Sequence, residues 1–130
     1  MKHENEILDL TNYPDLDKFL NKDNKYYILD DDKNVIPASL MEWASFFENT
    51  DDERIVKRTE INGFRVSTVF LGLDHGFNGL LDIFETMVFK GKDFANVEYC
   101  ERHSTWKAAE KGHERAIEWV KNRLPEIEDE

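Results

Sequence analysis

Alternating and continuous apolar runs in the middle of the chain predict β-strands. Residues 54–61 and 64–71 each have a strand-like pattern, and they flank the pair Asn62-Gly63. This pair favours a type I′ hairpin turn because both residues tolerate a positive φ. Residues 82–90 carry apolar side chains on both faces, which is typical of a strand in the centre of a sheet. The pattern therefore predicts a hairpin followed by a third, central strand.

Shorter apolar runs predict strands on either side of this region. Residues 26–29 form a short β-rich run, and residues 30–34 supply turn residues. Residues 35–36 are predicted to return as a second short strand before Pro37. A last strand is predicted over residues 97–102, so the sheet should have strands before and after the central hairpin.

Two helices are predicted from capping signals and helical spacing. Ser39 and Glu42 have the spacing of a capping box, in which each side chain accepts a hydrogen bond from a free backbone N–H, and this helix should reach about Glu48. Ser104 or Thr105 can cap a second helix that reaches about residue 123. The residues expected on the buried faces are Leu40, Trp43, Ala44 and Phe47 in the first helix, and Trp106, Ala109, His113, Ile117 and Val120 in the second.

The order of elements predicts an α+β fold, in which an antiparallel β-meander packs two main α-helices on one face. Residues 26–123 should form a single compact domain. Residues 1–25 are predicted to be an acidic N-terminal arm with a short helix over about 14–21, and residues 124–130 an acidic tail. The arm or a second subunit is available to cover the other face of the sheet, so a homo-oligomer remains an open alternative.

Composition and charge exclude several classes of protein. A length of 130 residues suits one globular domain, and 40% hydrophobic with 12% aromatic residues argues against disorder of the whole chain. A net charge of -11 disfavours direct binding to nucleic-acid phosphates or to anionic membranes. No apolar run approaches the ~20 residues that cross a bilayer. Cys100 is the only cysteine, so an intramolecular disulfide is excluded.

Several ordered segments carry a resemblance to a known group of proteins. They are YYILD, VIP followed by EWA and FF, VSTVFLGLDH, FETMVF, and STW with AE and GHE. In this succession the chain resembles small proteins of unknown function encoded by bacteriophages and prophages, over about residues 26–120. The resemblance implies a phage origin and action in the cytoplasm of a bacterial host. It implies no catalytic residues, because that group has no assigned activity.

Acidic residues cluster in two segments of the compact domain and in the tail. The residues predicted to bind a partner are Asp30, Asp31, Asp32, Asp51, Asp52 and Glu53. Together they could present a negative surface that occupies a cationic groove on a host protein. The alternative is an ordinary solvated surface, since lysines and arginines are mixed with them.

A second candidate site lies in the glycine-rich connection over residues 72–79. Asp74 could orient His75 for acid–base chemistry, and Glu85 interrupts an apolar strand, as a functional carboxylate can. Arg65 could either join these residues in binding a small ligand or simply pair with Glu85 across the sheet. A structural loop is the alternative for the whole set.

The metal-binding signals are incomplete. Asp30, Asp32 and Asn34 match the first ligands of an EF-hand loop, but valine occupies position six and methionine position twelve. Cys100 and His103 have a C-x₂-H spacing that, with His113, could contribute to a zinc site only if other ligands converged. We therefore expect neither a metal nor an organic cofactor.

These observations predict a non-enzymatic, phage-encoded accessory protein in the bacterial cytoplasm. It would bind and inhibit a host protein, such as a defence or nucleic-acid enzyme, through its acidic surface. The alternative is a protein that sequesters a small ligand or nucleotide with the 72–79 loop. Neither function requires binding to nucleic acid or to a membrane.

Overall fold

The computed structural model describes residues 25–74, 81–91 and 96–123. The arm up to residue 24, its predicted helix and the tail from residue 124 lie outside these residues. The elements, in chain order, are β1 (Tyr27–Leu29), β2 (Val35–Pro37), α1 (Leu40–Asn49), a 3₁₀ turn (Asp52–Arg54), β3 (Ile55–Ile61), β4 (Phe64–Phe70), β5 (Phe84–Lys90), β6 (Asn96–His103) and α2 (Trp106–Lys121).

Strands β3 to β6 form one antiparallel sheet in chain order, and β1 and β2 form a separate two-stranded sheet. Strand β5 lies between β4 and β6, which confirms that it is central. Helix α2 packs against the four-stranded sheet and contacts all of its strands. The predicted α+β fold is therefore confirmed, with a β-meander as the main sheet.

The turn between β3 and β4 has the geometry expected from its sequence. Asn62 has φ 42° and Gly63 has φ 89°, so both residues of the two-residue loop are left-handed. This turn fixes the register, in which Ile61 pairs with Phe64 and Thr59 with Val66. The predicted type of hairpin is confirmed, and it sets which side chains of β3 and β4 face the helix.

The capping box of α1 is also confirmed. Ser39 Oγ accepts a hydrogen bond from the Glu42 backbone N–H at 3.1 Å, and Glu42 Oε1 accepts one from the Ser39 N–H at 2.7 Å. The predicted buried face of this helix is wrong at two positions, because Leu40 is 52% exposed and Ala44 is exposed.

The inner face of α1 is instead rotated towards a group of aromatic rings. Trp43, Phe46 and Phe47 are half-buried, and the rings of Phe46 and Phe47 lie 6.0 and 6.3 Å from that of Phe70 in β4. The Trp43 indole N–H donates to the Leu71 carbonyl at 3.2 Å. These contacts place α1 at the end of the sheet from which β4 leaves, on the same face as α2.

The core between sheet and helix is divided into two apolar clusters. One contains Phe70, Ile83, Phe84 and Ala109 with the buried residues of β1, and the other contains Phe64, Val66, Val88, Ala116 and Val120. Along β4, Thr68 lies between Val66 and Phe70, and along β5, Thr86 lies between Phe84 and Val88. A polar layer thus separates the two clusters.

Candidate functional site

The two acidic segments of the compact domain are neighbours in space. Asp30, Asp31 and Asp32 lie in the turn between β1 and β2, and Asp51, Asp52 and Glu53 follow α1. The Lys33 ammonium group donates to the backbone carbonyl of Glu53 at 3.1 Å, although the two residues are 20 positions apart in the chain. We call these six acidic residues, 30–32 and 51–53, the acidic surface.

One carboxylate of the acidic surface, that of Asp30, stabilises the turn in which it lies. Asp30 Oδ1 accepts hydrogen bonds from the backbone N–H groups of Asp32, at 2.9 Å, and Asn34, at 2.8 Å. Burial opposes ionisation of Asp30, but these bonds outweigh it and lower the pKa of the carboxyl group. Asp30 therefore closes the turn that presents Asp31 and Asp32, which are exposed. This bonding accounts for the turn without a calcium ion.

A similar bond orders the second segment. The Asp51 backbone N–H donates to the Glu53 carboxylate at 3.0 Å, and this bond is the largest contribution to the lowered pKa of Glu53. Asp51, Asp52 and Glu53 are all exposed. The segment therefore holds three exposed acidic side chains in a short, hydrogen-bonded turn.

The two cations next to the acidic surface are directed towards aromatic rings. Lys33 Nζ lies 4.9 Å from the ring centroid of Trp106, and the Arg54 guanidinium lies 4.1 Å from that of Phe47. Arg54 also donates to the Thr50 carbonyl at 2.7 Å. Its distance to the Asp51 carboxylate is 3.9 Å, but the Asp51 side chain is 94% exposed, so this ion pair is weak. The outer side of the surface is therefore formed mainly by carboxylates.

Two of the residues predicted for a ligand site at the 72–79 loop, Arg65 and Glu85, lie at different positions on the sheet and have different partners. Arg65 pairs with Glu60 at 2.7 Å, whereas Glu85 pairs with Arg102 at 3.2 Å. Arg65 lies opposite Phe89, four residues along β5 from Glu85. Asp74 accepts a hydrogen bond from the Asp82 backbone N–H at 3.4 Å, and His75 lies outside the described residues. The geometry therefore links Glu85 to β6 and not to Arg65.

The C-x₂-H spacing does not bring its two residues together. Cys100 lies opposite Met87 and its thiol donates to Glu85 at 3.6 Å, on the face of the sheet away from α2. His103 is three residues further along β6 and faces the helix, as strand alternation requires. Burial and the neighbouring Glu85 carboxylate raise the pKa of the Cys100 thiol. Within residues 25–74, 81–91 and 96–123, no three His, Cys, Asp or Glu side chains are grouped as metal ligands would be.

Among the residues that the structure describes, the four buried polar side chains all belong to one row of hydrogen-bonded groups, which the sequence did not predict as a unit. His113 of α2 bonds through Nε2 to Thr59 at 3.0 Å and through Nδ1 to Thr68 at 2.8 Å. Thr68 bonds to Thr86 at 2.7 Å, and Thr86 bonds to Nε2 of His103 at 2.8 Å. We call these five residues the polar belt. It crosses β3, β4, β5 and β6 in succession.

Most of the polar belt is buried, so its polar atoms need hydrogen-bond partners within the protein. Thr68, Thr86 and His113 are fully buried, and His103 is 5% exposed. Burial lowers the pKa of both histidines and therefore favours the neutral form of both imidazoles. In the part of the chain that the structure describes, no buried side-chain nitrogen or oxygen lacks a hydrogen-bond partner. The prediction that His113 lies on the buried face of its helix is confirmed.

The signals for the belt were present in the sequence but could not be combined. Thr68 and Thr86 interrupt apolar strands, and each has a polar neighbour, Ser67 or Glu85, that points to the opposite face. Which member of each pair faces the helix depends on the register. The register also depends on a bulge between Val88 and Phe89 in the pairing of β5 with β6.

Comparison with protein-family models, with curated proteins and with solved structures gave no match. None of the helices within the described residues combines the length and the apolar character needed to cross a lipid bilayer. The fold and the geometry of the acidic surface and the polar belt are therefore the basis for any functional conclusion.

Proposed function

We propose that this chain is a non-enzymatic accessory protein of the bacteriophage type, which binds and inhibits a bacterial host protein through the acidic surface. The observation that carries the proposal is the contact between Lys33 and the Glu53 carbonyl, at 3.1 Å. It joins two acidic turns that are far apart in the sequence, so their carboxylates act as one surface. Electrostatic recognition needs such a concentration of like charge.

The charge of the surface supports a cationic partner. Five of its six acidic residues are exposed, and the neighbouring Lys33 and Arg54 are engaged with aromatic rings and carbonyl groups. With a net charge of -11 for the whole chain, the field favours a cationic groove and repels nucleic acid. A host enzyme that holds nucleic acid in such a groove is therefore the class of target that fits.

Helix α1 adds exposed apolar groups beside the acidic surface. Leu40 is 52% and Met41 is 76% exposed, and the helix ends one turn before Asp52. Carboxylates at the edge of an interface increase the association rate, whereas apolar side chains at its centre slow dissociation. The α1 face can supply the second contribution, since its inner aromatic residues are already used by the core.

A capture experiment with matched variants tests the proposal. Tagged full-length protein is incubated with bacterial lysate, and bound proteins are identified at low and high salt. The variant Asp31→Lys/Asp52→Lys should lose a partner that the wild type retains at low salt. The control Glu98→Lys/Glu118→Lys makes the same change of charge on β6 and α2 and should retain it. Equal capture by all three proteins would reject the acidic surface as the binding site.

A further inference from the structure

The polar belt is one continuous row of hydrogen bonds with a histidine near each end. The order of groups is Thr59, His113, Thr68, Thr86 and His103, and the four contacts measure 3.0, 2.8, 2.7 and 2.8 Å. Only Thr59 at one end is half-buried, and the other four groups are shielded from water. The hydrogens in the row must therefore be shared among its own members.

The number of hydrogens limits how the row can be arranged. Each hydroxyl and each neutral imidazole carries one hydrogen on oxygen or nitrogen. All four contacts are made if every group donates to its neighbour in the same direction. When the direction runs from Thr59, both imidazoles carry the hydrogen on Nδ1, and when it runs from His103, both carry it on Nε2. Different tautomers would leave either a buried hydroxyl hydrogen without an acceptor in the row or the contact between Thr68 and Thr86 without a hydrogen. The row therefore favours the same tautomer for both neutral histidines.

The row can take up one additional proton without losing a contact. A protonated His103 donates from Nε2 to Thr86, which donates to Thr68, which donates to Nδ1 of a neutral His113. A protonated His113 donates from Nδ1 to Thr68, and the hydroxyls then donate towards Nε2 of His103. In both cases each of the four contacts has one donor and one acceptor.

A second proton does not fit the same row. With both imidazoles charged, His113 donates to Thr68 and His103 donates to Thr86. One of the two hydroxyls then donates to the other, and the remaining hydroxyl hydrogen has no acceptor within the row. An unmatched donor in a buried site is unfavourable, and it adds to the repulsion between the two charges.

We propose that the polar belt is a binding site for a single proton, which His103 and His113 share through the hydroxyls of Thr68 and Thr86. The site makes the packing of α2 on the sheet sensitive to pH, because both the helix and all four strands contribute to the row. This inference is independent of the acidic surface.

The charged groups around the two imidazoles determine which of them is protonated first. Glu101 on β6 and Asp82 before β5 favour the charged form of His103, and Arg115 on α2 opposes it. For His113, Lys57 on β3 opposes the charged form and Glu114 on α2 favours it. The groups that face the imidazoles from β4 and β5, Thr68 and Thr86, are uncharged. Because two carboxylates act on His103, and because His113 is more deeply buried, His103 should bind the proton.

Nitrogen-15 spectra of the imidazoles in the full-length protein test this inference directly, since the shifts report both the tautomer and the charge of each ring. Above pH 8, we expect His103 and His113 to have the same tautomer. As pH falls, His103 should titrate first, with His113 then present as the Nε2–H tautomer. The second titration should follow at least about one pH unit lower, a tenfold difference in proton affinity. Different tautomers at high pH, or two titrations at the same pH, would overturn the proposal.

Two variants at the centre of the row provide a matched comparison. Thr68→Ser keeps the hydroxyl, and the tautomers of the two histidines should remain matched. Thr68→Val keeps the shape but removes the hydroxyl, so the tautomer of His113 should no longer depend on the charge of His103. If the valine variant kept the wild-type dependence, the row would not be the route by which the proton is shared. The wild-type spectra decide the question even if this variant does not fold.

Discussion

Gly112 in α2 lies in direct contact with the imidazole of His103 in β6, so that a Cβ atom at position 112 would overlap the ring. Glycine is unfavourable inside a helix by about 1 kcal/mol relative to alanine. Here it allows the helix to approach the sheet closely enough for the polar belt to close. The residue is therefore explained by packing on a histidine and not by flexibility of the helix.

Replacing Gly112 with alanine should destabilise the protein despite the higher helix propensity of alanine. Overpacking against a buried ring costs about 1–3 kcal/mol. The gain in helix propensity from glycine to alanine is only about 1 kcal/mol. Urea unfolding measures the change. Lys107→Ala, at an exposed position of the same helix, is the control and should change stability by less than about 0.5 kcal/mol. A clear stabilisation by Gly112→Ala would contradict the contact with His103.

Removing the central hydroxyl of the belt should be costly for stability. Thr68→Val leaves the Nδ1 atom of His113 without its partner and removes one of the two hydrogen bonds of Thr86, and an unsatisfied buried polar group costs about 1–3 kcal/mol. Within the described residues, the Thr59 side chain bonds only to His113, and Thr59 is half-buried, so Thr59→Val should cost less. Chemical denaturation of both variants measures the difference. Equal effects at the two positions would show that the row is not the structural unit described above.

The stability of the folded state should fall as pH decreases below about 6.5. Burial lowers the pKa of His103 and His113 in the folded protein, whereas unfolded histidine titrates near its ordinary value of 6.5. Below about pH 6.5, the unfolded state therefore binds more protons than the folded state. The stability that is present above this pH is lost as the pH falls. Melting temperatures measured from pH 8 to pH 5 test this. His113→Gln should make the melting temperature depend less steeply on pH between pH 8 and pH 5, whatever its effect on stability at pH 8.

The acidic groups contribute in a lower pH window. Burial works against ionisation of Glu101, but hydrogen bonds from Arg115 and Tyr99 outweigh it and lower its pKa. The stability that the ionised Glu101 carboxylate contributes is present above its ordinary pKa of 4.5, and it is lost as the pH falls below that value. A loss confined to pH values below about 4.5 would therefore contradict the assignment to the histidines.

Lys33 offers a test that separates geometry from net charge. Lys33→Met removes a positive charge next to the acidic surface, so charge alone predicts tighter binding of a cationic partner. It also removes the bond to the Glu53 carbonyl that joins the two acidic turns. We expect weaker binding, because the carboxylates would no longer be held as one surface. Tighter binding, measured by titration calorimetry with a captured partner, would show that net charge is sufficient.

Local signals in the sequence were reliable because they involve neighbouring residues. Asn62 with Gly63, and Ser39 with Glu42, fix a turn and a helix start through contacts within four residues. The buried face of α1, in contrast, depends on contacts with residues that are distant in the sequence. Trp43 and Phe47 could be buried together with Leu40 and Ala44, or together with Phe46 on the neighbouring face of the helix. Phe70, which is distant in sequence, contacts Phe46, and this contact selects the second face.

The contacts that define both proposals depend on tertiary structure. The sequence indicated both acidic segments, but only the packing of β2 and α1 brings Lys33 to Glu53. In the same way, Thr68 and Thr86 were visible as polar interruptions, while their pairing requires the register of β4 with β5. A one-residue change of register would turn both threonines to the other face.

The central claim is that the acidic surface binds a cationic host protein, and its most direct test is the salt dependence of that binding. The affinity of the captured partner should be measured from low to high ionic strength for the wild type, for Asp31→Lys/Asp52→Lys and for Glu98→Lys/Glu118→Lys. We predict a steep loss of wild-type affinity with salt, weak binding with a shallow dependence for the first variant, and near wild-type behaviour for the second. An unchanged affinity and salt dependence in Asp31→Lys/Asp52→Lys would contradict the account.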